Sequence, residues 1–149
     1  MDNLTQLGDL YRDVILDHFQ RPSRKGDLSN AHIKVDGANP LCGDELSYQV
    51  RIEDGKMAEI RFSGNGCAIS QAAASMLADV LETKTPQEAA RVVVALKDLM
   101  QGKPQDPSVD LGDLEALVGV RKFPVRVKCA ALSWNVIEQA LEKVKTITP

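Results

Sequence analysis

Leu46-Ser47-Tyr48-Gln49-Val50-Arg51-Ile52-Glu53-Asp54-Gly55-Lys56-Met57-Ala58-Glu59-Ile60-Arg61-Phe62 carries a two-residue hydrophobic period on both sides of an Asp-Gly pair. Leu46, Tyr48, Val50 and Ile52 fall on one face and Ser47, Gln49 and Arg51 on the other, the pattern of a half-buried antiparallel strand. Asp54-Gly55 suits a two-residue type I′ turn, which needs positive φ at both central positions, and Ala58, Ile60 and Phe62 resume the alternation beyond it. The rest of the chain reads mainly as helix. The expected class is therefore α+β, a small antiparallel sheet of about three strands with helices packed on one face.

Upstream of the hairpin, Ile33-Lys34-Val35 is a third strand, and Asp36-Gly37 with Asn39-Pro40 marks a turn leading to Cys42. Leu4, Leu7, Tyr11, Val14, Ile15 and His18 recur at helical spacing, so the first twenty residues form an amphipathic helix that stops before Pro22. Between them runs a polar connection whose Arg24-Lys25 pair is most simply solvated. Downstream, strand periodicity gives way to helical periodicity at Cys67, and Ile69, Ala72, Ala73, Met76, Leu77 and Val80 form an apolar stripe. Thr85-Pro86 with Glu88 is a capping box opening a second helix, which Gly102 ends. Lys103 to Asp110 is a surface loop, Leu111 to Val118 a short helical stretch, and Gly119 to Pro124 a break. The last helix carries Leu132, Val136, Ile137, Ala140, Leu141 and Val144, with Trp134 beside them and Cys129 in its first turn or just ahead of it.

With 149 residues, 44% hydrophobic and 26% charged, the chain fits one domain, 1–149, that needs no disulfide to hold a core. No apolar run approaches the ~20 residues of a membrane span, and Met1-Asp2-Asn3-Leu4 does not open a secretory signal, so a cytoplasmic protein is expected. A net charge of −3 gives little attraction for nucleic acid or an anionic membrane and favours a protein partner or small ligand. In a reducing compartment, three cysteines are metal ligands or reactive thiols rather than a disulfide framework.

Each cysteine lies at a glycine-rich or charged junction: Asn39-Pro40-Leu41-Cys42-Gly43-Asp44, Gly64-Asn65-Gly66-Cys67-Ala68-Ile69-Ser70 and Val125-Arg126-Val127-Lys128-Cys129-Ala130. Cys42, Cys67, Cys129 and Asp44 together supply three sulfurs and one carboxylate oxygen, the four-coordination that zinc prefers. With all four ionised the formal charge would be −2, which Arg126 and Lys128 beside Cys129 would offset. Two of the thiols fall at expected helix starts, where unsatisfied N–H groups favour a thiolate. Gly43 and Gly66 allow close backbone approach at a crowded site. No Cys-x-x-Cys pair enforces the grouping, so separate, partly buried cysteines are the plain alternative.

These three motifs, with Leu132 and Trp134 after the last and Leu10-Tyr11-Arg12 to Asp17-His18 near the start, resemble those of the U-type iron–sulfur assembly proteins, the SufU/IscU family. Scaffold members of that family carry a histidine where this chain has Lys128, and a shorter connection between the second and third cysteines. Both departures are similar to the SufU branch. The resemblance implies a SufE/IscU-like fold and a zinc-dependent sulfur acceptor with Cys42, Asp44, Cys67 and Cys129 as zinc ligands. It further implies a pyridoxal-phosphate-dependent cysteine desulfurase of the SufS type as partner, a histidine of which displaces Cys42 from zinc and frees it to take persulfide sulfur. Arg126 would guide that exchange or contact the partner, and a downstream cluster-assembly scaffold would receive the sulfur.

Two other uses of the same ligands remain open. They could hold an iron–sulfur cluster for delivery to apoproteins, or a purely structural zinc in an interaction module. His18, on an apolar stripe, reads as a packed residue, and neither His18 nor His32 suggests a metal pair. No motif supports a Cys–His hydrolase.

Overall fold

The computed structural model describes residues 3–41 and 43–147, with side chains over 11–41 and 43–146. Helix α1 (Asn3–Gln20) is followed by strands β1 (Ile33–Asn39), β2 (Asp44–Glu53) and β3 (Lys56–Asn65), then α2 (Ala68–Leu81), α3 (Pro86–Met100), a 3-10 segment (Gly112–Val120) and α4 (Pro124–Ile147). The strands form one antiparallel sheet in the order β1-β2-β3. Helices α2 and α4 lie on its apolar face, with α1 and the 3-10 segment against α2 and α3 against α4. Leu46, Tyr48, Val50, Ile60 and Phe62 from the sheet and Met76, Leu77, Leu96, Leu117 and Ile137 from the helices meet in one core. Tyr48, wholly buried, donates its hydroxyl to Ala74 O at 2.8 Å, and burial pushes its phenol pKa well above the usual range.

The β2–β3 turn has the required backbone, with φ of 53° at Asp54 and 73° at Gly55. Beyond it the expected alternation fails by one residue. Ile52 pairs with Met57 but Arg51 pairs with Glu59, so Ala58 is the extra residue of a β-bulge, and Met57 rather than Ala58 fills the core. The cause is tertiary: Met57 N–H donates to Lys84 O at 2.9 Å and its carbonyl accepts from Thr83 N–H at 2.8 Å, which stitches the start of β3 to the α2–α3 turn.

Strand β1 does not end at Asp36-Gly37 as expected but continues to Asn39, and Gly37 pairs with Leu46. A side chain at Gly37 would place its Cβ 2.5 Å from Val136 Cγ2, so the glycine marks where α4 presses on the strand rather than a turn. The chain turns only beyond Asn39, at Pro40 and Leu41, before Asp44 pairs back with Asn39.

At the sheet's β3 edge, the segment after α1 is no free loop. Phe62 N–H donates to Arg24 O and Gly26 N–H to Phe62 O, at 3.0 and 2.9 Å, laying residues 24–26 alongside β3. The chain then crosses to Gln49, whose side chain accepts from Leu28 N–H at 2.7 Å and donates to Asp27 at 2.8 Å, so this outward-facing amide is only 6% exposed. Arg24, expected in solvent, pairs with Asp79 and Glu82 of α2 and its cap.

The capping box forms as expected: Glu88 N–H reaches Thr85 Oγ1 at 3.1 Å and Thr85 N–H reaches Glu88 Oε1 at 2.9 Å. Helix α4, in contrast, begins at Pro124, where a break was expected. Proline at the first helical position removes only an N–H with no intrahelical partner and supplies a helical φ. Residues 124–128 bury little, which is why the apolar period becomes visible only late in the helix's second turn and beyond.

Candidate metal centre

Three of the expected site residues converge although 85 positions separate the first from the last in sequence: ligand atoms of Asp44, Cys67 and Cys129 all lie within 4.8 Å of one another. Cys42 lies outside the described residues. Each of the three is delivered by a different element, and for a local reason.

Asp44 opens β2 and is fully buried. Its Oδ1 accepts the Cys67 N–H at 2.8 Å, and its Oδ2 lies 3.8 Å from Cys67 Sγ. Cys67 is the N-cap of α2, as its place at the change of period predicts, with φ −69°, ψ 165° and Ser70 N–H directed at its sulfur from 3.4 Å. A thiol thus fills the role that Ser or Asp usually takes, satisfying one of the helix's unpartnered N–H groups. Ser70 Oγ donates to Cys67 O at 3.1 Å and closes the turn.

Gly66 makes this approach possible. A Cβ there would overlap Asp44 Oδ1 and lie 2.6 Å from Ser70 Oγ. Gly43 serves differently from what crowding suggested: nothing lies within 4 Å of its virtual Cβ, and its φ of 68° is what calls for glycine.

Cys129 is buried but is the sixth residue of α4, not in its first turn. The helix-start argument therefore applies to Cys67 alone. What Cys129 gains instead is Arg126 one turn earlier, at the i, i+3 spacing that puts both on one face. Arg126, Cys67 and Cys129 border the same open cavity of about 460 Å³, with Ile69, Phe123 and Val125 as its apolar wall. Lys128 borders a different groove, beside Ala38, Asn39 and Pro40. The two cations thus stand on different sides of the third cysteine. The apolar wall was not foreseen; the only sequence signal for it is Phe123 in an otherwise polar break.

The geometry fits a four-coordinate ion. Tetrahedral bonds of ~2.3 Å to sulfur and ~2.1 Å to oxygen put a sulfur and an oxygen about 3.6 Å apart and two sulfurs about 3.8 Å apart. The Cys67–Asp44 pair at 3.8 Å already has that spacing, and the remaining separations within 4.8 Å need a contraction of about 1 Å or less. Neither Cys67 nor Cys129 forms a disulfide.

Both histidines are engaged elsewhere. His18 is buried, with Nδ1 2.8 Å from Ser75 Oγ and Nε2 2.9 Å from Asp113 Oδ2, and His32 Nδ1 accepts the Ile52 N–H at 2.9 Å. The Ser75–His18–Asp113 sequence of contacts is a clasp and not a nucleophilic triad, because Ser75 is fully buried and its Oγ also accepts Ser23 N–H at 2.7 Å. Among the described residues no helix is long and apolar enough to cross a membrane.

A family model of the NifU-like N-terminal domain matches residues 10–148. The chain is 44% identical over 137 residues to the zinc-dependent sulfurtransferase SufU of Bacillus subtilis, covering 92% of each chain. It is 38% identical over 140 residues to the iron–sulfur cluster assembly scaffold protein IscU of Streptococcus pyogenes, covering 94% of this chain and 87% of that one. A crystal structure from Fervidobacterium islandicum AW-1, described as a candidate iron–sulfur cluster assembly scaffold for the SUF system, superposes with a TM-score of 0.81 at 35% identity, over 87% of this chain and 94% of that one.

Proposed function

The chain belongs to the NifU-like N-terminal domain family, and from that premise we propose that it is a zinc-dependent sulfur acceptor of iron–sulfur cluster assembly. The observation that carries the reading is the convergence of Asp44, Cys67 and Cys129, from three elements, to within 4.8 Å. The 44% identity to a zinc-dependent sulfurtransferase and Lys128 in place of the scaffold histidine support it. Cys42, two positions before Asp44, is the fourth ligand and the acceptor.

Zinc, when bound, would hold the cysteines as thiolates and keep the acceptor sulfur unreactive until a partner engages it. The chain's own residues do the rest. The Cys42 thiolate attacks the outer sulfur of a persulfide carried by a pyridoxal-phosphate-dependent cysteine desulfurase of the SufS type. A new S–S bond forms on Cys42, the donor's S–S bond breaks and the donor cysteine leaves as thiolate, so sulfur moves without net oxidation. Arg126, bordering the cavity of Cys67 and Cys129, offsets the negative charge of the thiolates and the incoming persulfide. Asp44 holds the Cys67 N–H and so fixes where one sulfur stands. A reducing cytoplasm is the compartment this chemistry needs, with a cluster-assembly scaffold as the next recipient.

The test is metal content together with desulfurase turnover for the parent and for Cys42→Ala, Asp44→Ala, Cys67→Ser and Cys129→Ser. About one zinc per chain is expected in the parent, with less in the last three variants and no stimulation by Cys42→Ala. Parent-like stimulation by Cys42→Ala would refute the acceptor role. The scaffold relative at 38% identity favours a second reading in which the same residues carry an iron–sulfur cluster as cargo. Anaerobic reconstitution giving a stable cluster that activates an apoenzyme, with zinc inert, would establish that reading instead.

A further inference from the structure

We propose that β1 is a self-association edge: two copies of this chain pair antiparallel along it, about a two-fold axis at Val35, and join their sheets into one. The backbone phase is set from the far side of the sheet. Phe62 directs its N–H and carbonyl to Arg24 and Gly26, away from β2, so its pairing with Tyr48 is the kind without hydrogen bonds. Tyr48 therefore turns its own backbone groups toward β1, onto Val35 opposite it. Because this direction alternates along a strand, Lys34 and Asp36 point their N–H and C=O groups out of the sheet. Lys143 Nζ, exposed and 3.5 Å from Lys34 O, marks that carbonyl as outward. Among the described residues no strand pairs with β1 on this side, whereas residues 24–26 lie against the outer side of β3.

Side-chain charge selects the occupant. Lys34 and Asp36 are exposed, on the opposite face of the strand from the buried Ile33 and Val35, and among the described residues neither is ion-paired. A lysine on an open edge ordinarily repels a second strand. With the axis at Val35, Lys34 stands opposite Asp36 of the second copy in a hydrogen-bonded pair, Cα atoms about 5.5 Å apart, and the two-fold repeats the match. Moving the axis by one residue sets Lys34 against Lys34 or Asp36 against Asp36, and like charges directly opposed are destabilising. The strand is thus complementary to itself in that register, and a second copy of the chain supplies the complement.

The arrangement keeps the two metal centres apart. Asp44 pairs with Asn39, four positions from Val35, so at ~3.4 Å per residue each centre stands about 14 Å along the strands from the axis, at opposite ends of the shared sheet. Beneath the strands, α4 presents polar side chains at this edge, Lys143 beside Lys34 O and Asn135 beside Ala38 and Asn39. The second layer of contact is therefore wet, and the association is of the weak class.

Sedimentation velocity of the zinc-loaded protein from about 1 to 500 µM reads the association, with zinc content and thermal unfolding as checks on folding. The parent should pass from monomer toward dimer over that range. Asp36→Lys sets lysines against lysines across the edge and should weaken association about tenfold, as should Lys34→Asp. Combining Lys34→Asp with Asp36→Lys restores opposite charges in the same register and should return the parent's dimerisation. Amide exchange at Lys34 and Asp36 should slow as concentration rises, while that of Phe62 stays constant. A parent that is monomeric throughout overturns the proposal. So does a dimer that neither single variant weakens, or a combined variant that associates no better than the single ones.

Discussion

Replacing Gly66 by alanine should damage the metal centre by sterics alone. Gly66 is not among the glycines with positive φ, so its backbone accepts a side chain without strain. The added methyl would overlap Asp44 Oδ1 and lie 2.6 Å from Ser70 Oγ and 2.9 Å from Asp44 Cγ. Restoring ordinary contacts requires the carboxylate to move by roughly 1 Å. Asp44 is fully buried at the start of β2 and has no solvent to swing into. A shift of that size stretches its 2.8 Å bond from Cys67 N–H beyond hydrogen-bonding range. Leaving a buried hydrogen-bonding group without its partner costs about 1–3 kcal/mol, and with residual overlap the metal-free protein should lose about 2–4 kcal/mol. Denaturant unfolding of chelator-treated protein reads the stability, and competition with a chromophoric chelator reads zinc affinity, which should fall as well. Gly55→Ala is the control: φ is 73° with nothing within 4 Å, so it should cost about 1–2 kcal/mol through the backbone and leave zinc affinity unchanged. A Gly66→Ala protein within about 0.5 kcal/mol of the parent and equal in zinc affinity would refute the claim that this glycine seats the carboxylate.

Two further outcomes follow from contacts remote from the sulfurs. Ser75→Ala leaves His18 Nδ1 and Ser23 N–H without their partner and should cost about 1–3 kcal/mol; amide exchange should quicken in α1 and not in α3, and unchanged exchange in α1 would show that the clasp does not hold that helix. Asp106, bonded by the Ser108 hydroxyl and N–H and by Arg91, has its carboxyl pKa lowered to about 2. A depressed pKa means that this contact stabilises the loop fully above the unfolded value of about 3.9 and ceases to do so as pH falls toward 2. Carboxylate NMR should therefore show Asp106 ionised at pH values where ordinary aspartates protonate, and Ser108→Ala should raise its midpoint; an unmoved midpoint would assign the shift to something other than Ser108.

The parts of the fold legible in the sequence were those fixed by local chemistry. Asp54-Gly55 had to supply two positive φ values, Thr85-Pro86 with Glu88 could close a cap by itself, and Cys67 stood where one hydrophobic period replaced another. What escaped was decided by distant partners. Ala58 is displaced from the core because Met57 bonds to Thr83 and Lys84, Gly37 stays in a strand because Val136 lies over it, and Arg24 leaves solvent for Asp79 and Glu82. For the metal centre, residue types named the ligands but not their meeting, since no local spacing brings Asp44, Cys67 and Cys129 together. The sequence pattern puts Cys129 one turn too early in the last helix because Pro124 has the look of a stop and is a start.

The segment lying beside β3 has a consequence for assembly. An open strand offers its backbone to any extended chain, the usual origin of aggregation and of peptide capture by strand addition. Here Arg24 and Gly26 already occupy Phe62's outward N–H and carbonyl, so a fourth strand cannot join at that point unless the α1–β1 connection first lets go. Any partner that recognises this protein by lengthening its sheet is thereby directed to the opposite border, along β1.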